Sequence, residues 1–134
     1  MSKVRIDVHE RGPHETANGI QQTRAVLDRA GKEAASVGKL NIVFITAENG
    51  NVLSVVVGSD ETVLGFTFAH LDPPYFVSKG GGKSEHPALT AFVSLEHHTE
   101  FPRRWVISKA EGMRGVEEFI ASGDLPTSIT WAEP

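Results

Sequence analysis

The sequence predicts an α+β fold, in which a mainly antiparallel sheet of about six to seven strands carries two helices packed on one face. Three observations lead to this prediction. Short β-rich segments separated by turn residues fill the middle of the chain, one segment with helical periodicity precedes them, and another follows them. At 134 residues the chain is long enough for one hydrophobic core, so we expect a single domain over residues 1–134.

The first predicted elements are a strand and a helix. In KVRIDVHE, residues 3–10, apolar residues alternate with polar ones, which is the period of a half-buried strand. After a predicted loop, RGPHETANG, apolar positions recur on one helical stripe over residues 20–35. Arg24 and Asp28 have the spacing of an i,i+4 ion pair, and Gly38 is a suitable end for the helix.

The next segments are predicted to form an antiparallel meander. KLNIVFIT and VLSVVVG flank AENGN, where Asn49-Gly50 suits a type I′ hairpin turn. A second turn, GSDE, leads into TVLGFTFAH. Beyond Pro73-Pro74, YFVSK and ALTAFVSLE are predicted to add two strands around a glycine-rich loop.

The C-terminal helix has clear start and stop signals. Ser108 and Glu111 have the Ser-x-x-Glu spacing of a capping box, and Gly123 is a natural end. The apolar stripe between them consists of Met113, Val116, Phe119 and Ile120. TSITW is predicted to close the chain as a short strand.

The glycine-rich stretch KGGGKSEH, residues 79–86, has the Gly-Lys-Ser ending of a phosphate-binding Walker A loop. The first glycine of that motif would fall at Val77, and Pro87 follows the stretch at once. We therefore interpret it as a loop and not as a nucleotide site.

The sequence lacks several motifs that would indicate an enzyme or a metal site. The chain has no cysteine, no His-x-x-x-His pair and no Gly-x-Ser-x-Gly elbow. Adjacent residues such as His97 and His98 point to opposite faces of a strand, and HHTEF is interpreted as a polar turn. We expect neither an enzyme nor a cofactor; the alternative is a small ligand- or metal-binding domain, or an enzyme, that uses the histidines.

The charge distribution predicts an anionic surface. The formal net charge is −4, and no Lys or Arg occurs between Leu40 and Ser78. The acidic residues of that span are Glu48, Asp60, Glu61 and Asp72. This pattern argues against direct nucleic-acid binding and favours a basic partner. No apolar run is long enough to cross a membrane and the N-terminus lacks the apolar centre of a signal peptide, so we expect a cytoplasmic protein.

Two consecutive aromatic residues follow Asp72, the last acidic residue of this span. In an extended segment Tyr75 and Phe76 point in opposite directions, so one ring should face the core and the other should face outward. An exposed Tyr75 beside the acidic turns would be a rigid interface residue. The alternative, that the sheet buries both rings, is left open.

The second half of the chain resembles a bacterial immunity-protein family, the deaminase-toxin immunity family, which is the first family of that name in polymorphic toxin systems. Residues 101–131, FPRRWVISKAEGMRGVEEFIASGDLPTSITW, resemble its C-terminal part: a helix, a Gly-containing turn, a Pro and a strand ending in Trp-x-Glu. These features are carried by Phe119, Gly123, Pro126, Trp131 and Glu133. Upstream, YFVSKG and TEFP resemble further family segments, the first through Tyr75, Val77, Ser78 and Gly80.

The resemblance implies an immunity protein that binds and neutralises a cognate toxin, often a nucleic-acid deaminase, by occluding its active site. Such a toxin holds its nucleic-acid strand with basic residues, which an anionic, protruding surface could cover in place of phosphates. The predicted partner-binding residues are Glu48, Asn49, Asp60, Glu61, Asp72 and Tyr75, with Lys79, Lys83 and Glu85 from the glycine loop as additional candidates.

Overall fold

The computed structural model of the protein describes residues 3–9, 12–80, 87–93 and 97–134. In chain order the described elements are β1 (Lys3–Asp7), β2 (Glu15–Asn18), α1 (Gly19–Ser36), β3 (Asn41–Ala47), β4 (Val52–Val57), β5 (Glu61–Thr62), β6 (Leu64–Thr67), β7 (Phe76–Ser78), β8 (Pro87–Val93), β9 (His97–Pro102), a 3-10 turn (Arg103–Trp105), β10 (Ile107–Ser108), α2 (Lys109–Ser122) and β11 (Trp131–Ala132). No helix within these ranges is both long enough and apolar enough to cross a membrane.

Most of the strands form one mainly antiparallel sheet in the order β11-β7-β6-β4-β3-β1-β2. β8 pairs in parallel with β3 and antiparallel with β9, while β10 and β5 form a separate two-stranded sheet. The α+β fold with a mainly antiparallel sheet and two helices is therefore confirmed. Among the described residues the main sheet has nine strands, more than the six or seven expected.

The additional strands lie in segments that were expected to be loops. β2 falls within RGPHETANG, and the prediction of a polar turn at HHTEF is wrong because these residues form β9. The first four residues of β9 are all exposed, so neither face has the apolar alternation that identifies a strand in a sequence. Its pairing with β8 supplies the backbone hydrogen bonds that its side chains do not predict.

The predicted meander is present, since β4 pairs antiparallel with both β3 and β6. The predicted type I′ turn is wrong. A type I′ turn needs positive φ at both central residues, but Leu71 is the sole non-glycine residue with positive φ in the described part of the chain. Gly50, at φ +91°, ends a three-residue loop in which its N–H donates to the carbonyl oxygen of Ala47 at 2.9 Å.

Helix α1 matches its prediction closely. Its buried residues are Thr23, Val26, Leu27, Ala30 and Ala34, and Gly38 follows it in a left-handed conformation at φ +68°. The predicted ion pair between Arg24 and Asp28 is wrong, because the Arg24 guanidinium contacts Glu117 of α2 instead. That contact joins the two helices on the face of the sheet that they share.

Helix α2 begins and ends as predicted. The Ser108 hydroxyl accepts a hydrogen bond from the Glu111 N–H at 3.1 Å, and Gly123 ends the helix at φ +72°. The buried stripe also contains Gly112, where a Cβ atom would lie 2.4 Å from Cγ2 of Thr62. The missing side chain therefore allows α2 to approach β5 closely.

The segment after α2 is fastened back onto the helix by Glu118. Its carboxylate accepts hydrogen bonds from the backbone N–H groups of Thr127 and Ser128, each at 2.9 Å, and from the Thr127 hydroxyl. These bonds from Ser128 and Thr127 lower the pKa of Glu118 to about 2.

Apolar clusters lie on both faces of the sheet. The helix-side cluster includes Ile6, Ile45, Leu53, Phe66 and Phe119. On the other face β8 contributes Leu89 and Ala91 to a second cluster with Ile42, Val56, Val63, Val77 and Val106. The sheet is therefore fixed from both sides, which gives its connecting turns defined positions at the two ends of the strands.

Candidate partner-binding surface

The predicted partner-binding residues are divided between two ends of the sheet. Thr46, Val52 and Thr67 are cross-strand neighbours at one end of β3, β4 and β6, while Asn41 pairs with Val57 at the other. We call residues 48–50 and 68–75 the loop end, and residues 58–61 the far end. Glu48, Asn49, Asp72 and Tyr75 lie at the loop end, whereas Asp60 and Glu61 lie at the far end.

The two segments of the loop end are in direct contact. A Cβ atom on Gly50 would lie 2.9 Å from Cβ of Ala69, which shows how closely the segments approach. The side-chain oxygen of Asn51 accepts a hydrogen bond from the Ala69 N–H at 2.9 Å, and its amide nitrogen donates to the Gly123 carbonyl at 2.9 Å. Asn51 is 8% exposed and joins β4, the 68–75 segment and the end of α2.

Sequence reasoning missed Asn51, although a signal was present. It is a polar residue directly before the apolar strand β4, at a position where its buried amide needs partners. Asn49 has a related role, because its amide nitrogen donates to the Gly123 carbonyl at 3.0 Å and its oxygen accepts from the Asn51 N–H at 3.0 Å. The observed contacts of Asn49 are thus structural, and its contact with a partner stays a prediction.

Tyr75 and Phe76 point in opposite directions, as the extended segment requires. Tyr75 is 44% exposed, while Phe76 packs against the helix-side core and lies 6.3 Å from Phe68, centroid to centroid. The Tyr75 hydroxyl donates to the carbonyl oxygen of Leu71 at 2.8 Å. The exposed ring is therefore held in a defined position.

The loop end combines negative charge with exposed apolar surface. Glu48 and Asp72 are both exposed, and neither belongs to an ion pair among the residues that the structure describes. Asp124 is also exposed and follows Gly123, which contacts Asn49. Lys3 is a cation near this surface, since it borders a shallow depression together with Glu48.

The far end presents less free negative charge. Arg103 lies 2.6 Å from Glu61 in an ion pair, which offsets the charge of that carboxylate. Asp60 is exposed, and its carbonyl oxygen accepts the N–H of Lys109 at 2.8 Å. Lys79 follows β7 and has an exposed side chain. Lys83 and Glu85 lie outside the described residues.

A cleft of about 300 Å³ opens between α1, α2 and β4 at the far end. Its walls include the apolar side chains of Leu27, Val55 and Met113, and its charged residues are Asp28, Lys32, Asp60 and Lys109. No histidine is among the lining residues. Within residues 3–9, 12–80, 87–93 and 97–134, no three His, Cys, Asp or Glu side chains form a group that could hold a metal ion.

The loop end is therefore the surface that combines exposed carboxylates, unpaired among the described residues, with an exposed aromatic ring in a fixed position. Comparison with curated proteins gives no match. Comparison with family models gives a match to "Immunity protein Imm1" over residues 11–133. Because this match spans nearly all of the chain, the protein belongs to the Imm1 family of immunity proteins.

Proposed function

We propose that this immunity protein binds a cognate bacterial toxin with nucleic-acid deaminase activity and neutralises it by covering its active-site entrance. The observation that carries the proposal is the loop end, where Glu48, Asp72 and the ring of Tyr75 are exposed together. No Lys or Arg occurs in residues 41–77, which supply both segments of this surface.

The chemistry of a deaminase explains why such a surface would inhibit it. A deaminase that acts on a nucleic acid binds the target base in a pocket and holds the flanking phosphates near basic residues. Carboxylates presented by an immunity protein would take the place of those phosphates. Opposite charges would also raise the rate of encounter between the two proteins.

The fixed geometry of the loop end favours tight binding. Hydrogen bonds of Asn51 and Tyr75 already hold its two segments, so complex formation would order few additional groups. Inhibition by occlusion requires no cofactor and no catalytic step from this chain. It would take place in the cytoplasm, where the nucleic acid attacked by the toxin lies, without contact between this protein and a membrane.

Charge reversal at the two ends tests where the partner binds. The association rate constant of the purified toxin domain would be measured at low and high salt with Glu48→Lys and with Asp60→Lys. We expect Glu48→Lys to slow association, with a weaker dependence on salt. Slowing by Asp60→Lys alone would assign the interface to the far end, and unchanged rates for both variants would remove the acidic-surface explanation.

The deaminase assignment needs a separate assay. The toxin domain would be incubated with single-stranded DNA or RNA while this protein is titrated in, and the deaminated base would be counted. We expect inhibition to be complete at one equivalent and to compete with the nucleic acid. A toxin that has a different activity, or a complex that still deaminates its substrate, would contradict the proposal.

A second candidate function, small-ligand binding, is favoured by the cleft at the far end. Apolar walls with a few charged groups are common features of ligand sites. Native mass spectrometry of the purified protein would reveal a retained metabolite or metal. Since no histidine lines the cleft, replacing the histidines should leave such binding unchanged.

A further inference from the structure

Leu71 has an unusual backbone conformation. Its φ is +65°, in the left-handed region that favours glycine and disfavours residues with a bulky side chain. The Leu71 side chain is 66% exposed, so the strain is not offset by burial in the core. An exposed leucine held in a strained conformation suggests that its side chain contacts another molecule and does not serve the stability of the fold.

Several contacts keep Leu71 in this conformation. Its N–H donates to the Phe68 carbonyl at 2.9 Å, and its own carbonyl accepts the Tyr75 hydroxyl at 2.8 Å. Beside it, the Asp72 N–H donates to Nδ1 of His70 at 3.0 Å. Phe68 packs edge-to-face on Phe66 of the core at 5.1 Å, which connects the segment to the rigid part of the molecule.

We propose that Leu71 and Tyr75 form a preorganised apolar anchor that inserts into an apolar depression on the toxin, and that this depression has a basic rim. This inference rests on the proposed function and identifies the surface of the partner. Asp72 directly follows Leu71, and the exposed Glu48 lies on the 48–50 segment, which contacts the anchor's own segment at Ala69, so a complementary surface requires cations around a dry centre. In many interfaces, a small number of central, buried anchor residues supplies much of the binding energy.

A second copy of this chain is a poorer occupant on the same grounds. In a symmetric dimer through the loop end, the carboxylates of Glu48 and Asp72 would approach the same groups of the other copy. Such like-charge contacts oppose association. The charge of the surface therefore selects a basic partner over self-association.

The side chain can be removed without introducing strain. Leu71→Gly fits φ +65° and deletes the anchor, while Leu71→Asn keeps a left-handed preference with a polar side chain. Val37→Ser is a matched control, because Val37 is also an exposed hydrophobic residue, at 56%, but follows α1 near the far end. Dissociation constants for the toxin domain and urea midpoints of the free proteins would be measured for all three.

We expect both Leu71 variants to weaken toxin binding by at least ~30-fold, as for an interface hot spot. The urea midpoint should not fall for Leu71→Gly, because the substitution relieves backbone strain. Val37→Ser should change neither quantity. Wild-type affinity in both Leu71 variants would overturn the anchor while leaving toxin binding intact.

Other results would contradict the inference in distinguishable ways. A wild-type protein that does not bind the toxin at all would overturn the proposed function together with the anchor. A wild-type dimer in sedimentation that Leu71→Gly converts to monomer would replace the toxin with a second copy of this chain as the occupant.

Discussion

Replacement of Asn51 by alanine tests how the loop end is held in position. The Asn51 side chain makes one hydrogen bond to the Ala69 N–H and one to the Gly123 carbonyl, each at 2.9 Å. A net contribution of about 1 kcal/mol for each bond gives an expected loss of about 2 kcal/mol in the free energy of unfolding. No larger loss is expected, because Gly123 keeps its bond from Asn49 and Ala69 is exposed to water.

The variant Asn51→Asp distinguishes the contributions of the two hydrogen bonds. Aspartate keeps an acceptor for the Ala69 N–H but places a negative oxygen opposite the Gly123 carbonyl, at the negative end of the α2 dipole. Near neutral pH we expect it to be at least as destabilising as Asn51→Ala. Its stability should improve relative to Asn51→Ala when acid protonates the new carboxylate.

Urea unfolding followed by circular dichroism would measure both effects. Ser36→Ala is the control, because the exposed Ser36 hydroxyl donates a local hydrogen bond to the Glu33 carbonyl, and its change should stay within about 0.5 kcal/mol. An Asn51→Ala variant as stable as the control would refute the view that this side chain joins the loop end to α2.

Three further predictions concern other contacts. Glu118 has its pKa lowered to about 2, so its contribution to stability is present above the ordinary carboxyl pKa and is lost as acid brings the pH down toward 2. Acid titration of stability should therefore be shallower for Glu118→Gln, by only about 1 kcal/mol across that range, since the carboxylate is partly exposed and is screened by solvent; identical curves would contradict this. Gly112→Ala should destabilise the fold by about 1–3 kcal/mol in urea unfolding, because its Cβ would lie 2.4 Å from Thr62 Cγ2; wild-type stability would show that α2 shifts freely. Arg103→Ala should cost less than about 1 kcal/mol in the same assay, because its ion pair with Glu61 is about 40% exposed on both sides; a larger loss would indicate a structural role for Arg103.

Local signals in the sequence predicted the local structure well. The capping residue Ser108, the left-handed Gly123 and the apolar stripe between them fixed the extent of α2. The meander followed from alternating apolar residues and short turns. These features depend on neighbouring residues, so a single sequence contains the information that determines them.

Features that depend on distant residues were not predictable in the same way. Arg24 pairs with Glu117, which is remote in sequence, and not with the nearby Asp28. The acidic residues were expected on one surface, but strand direction alone places Asp60 and Glu61 at the end opposite Glu48. The left-handed conformation of Leu71 has no local signal, because that residue type disfavours it.

The most direct test is co-expression of this protein with the product of the adjacent gene, as the candidate toxin. Growth would be recorded with and without this protein, and the purified mixture would be examined for a complex of defined mass. We predict restored growth and a one-to-one complex. Continued toxicity with no complex, from a folded protein at normal expression, would contradict the assigned immunity role.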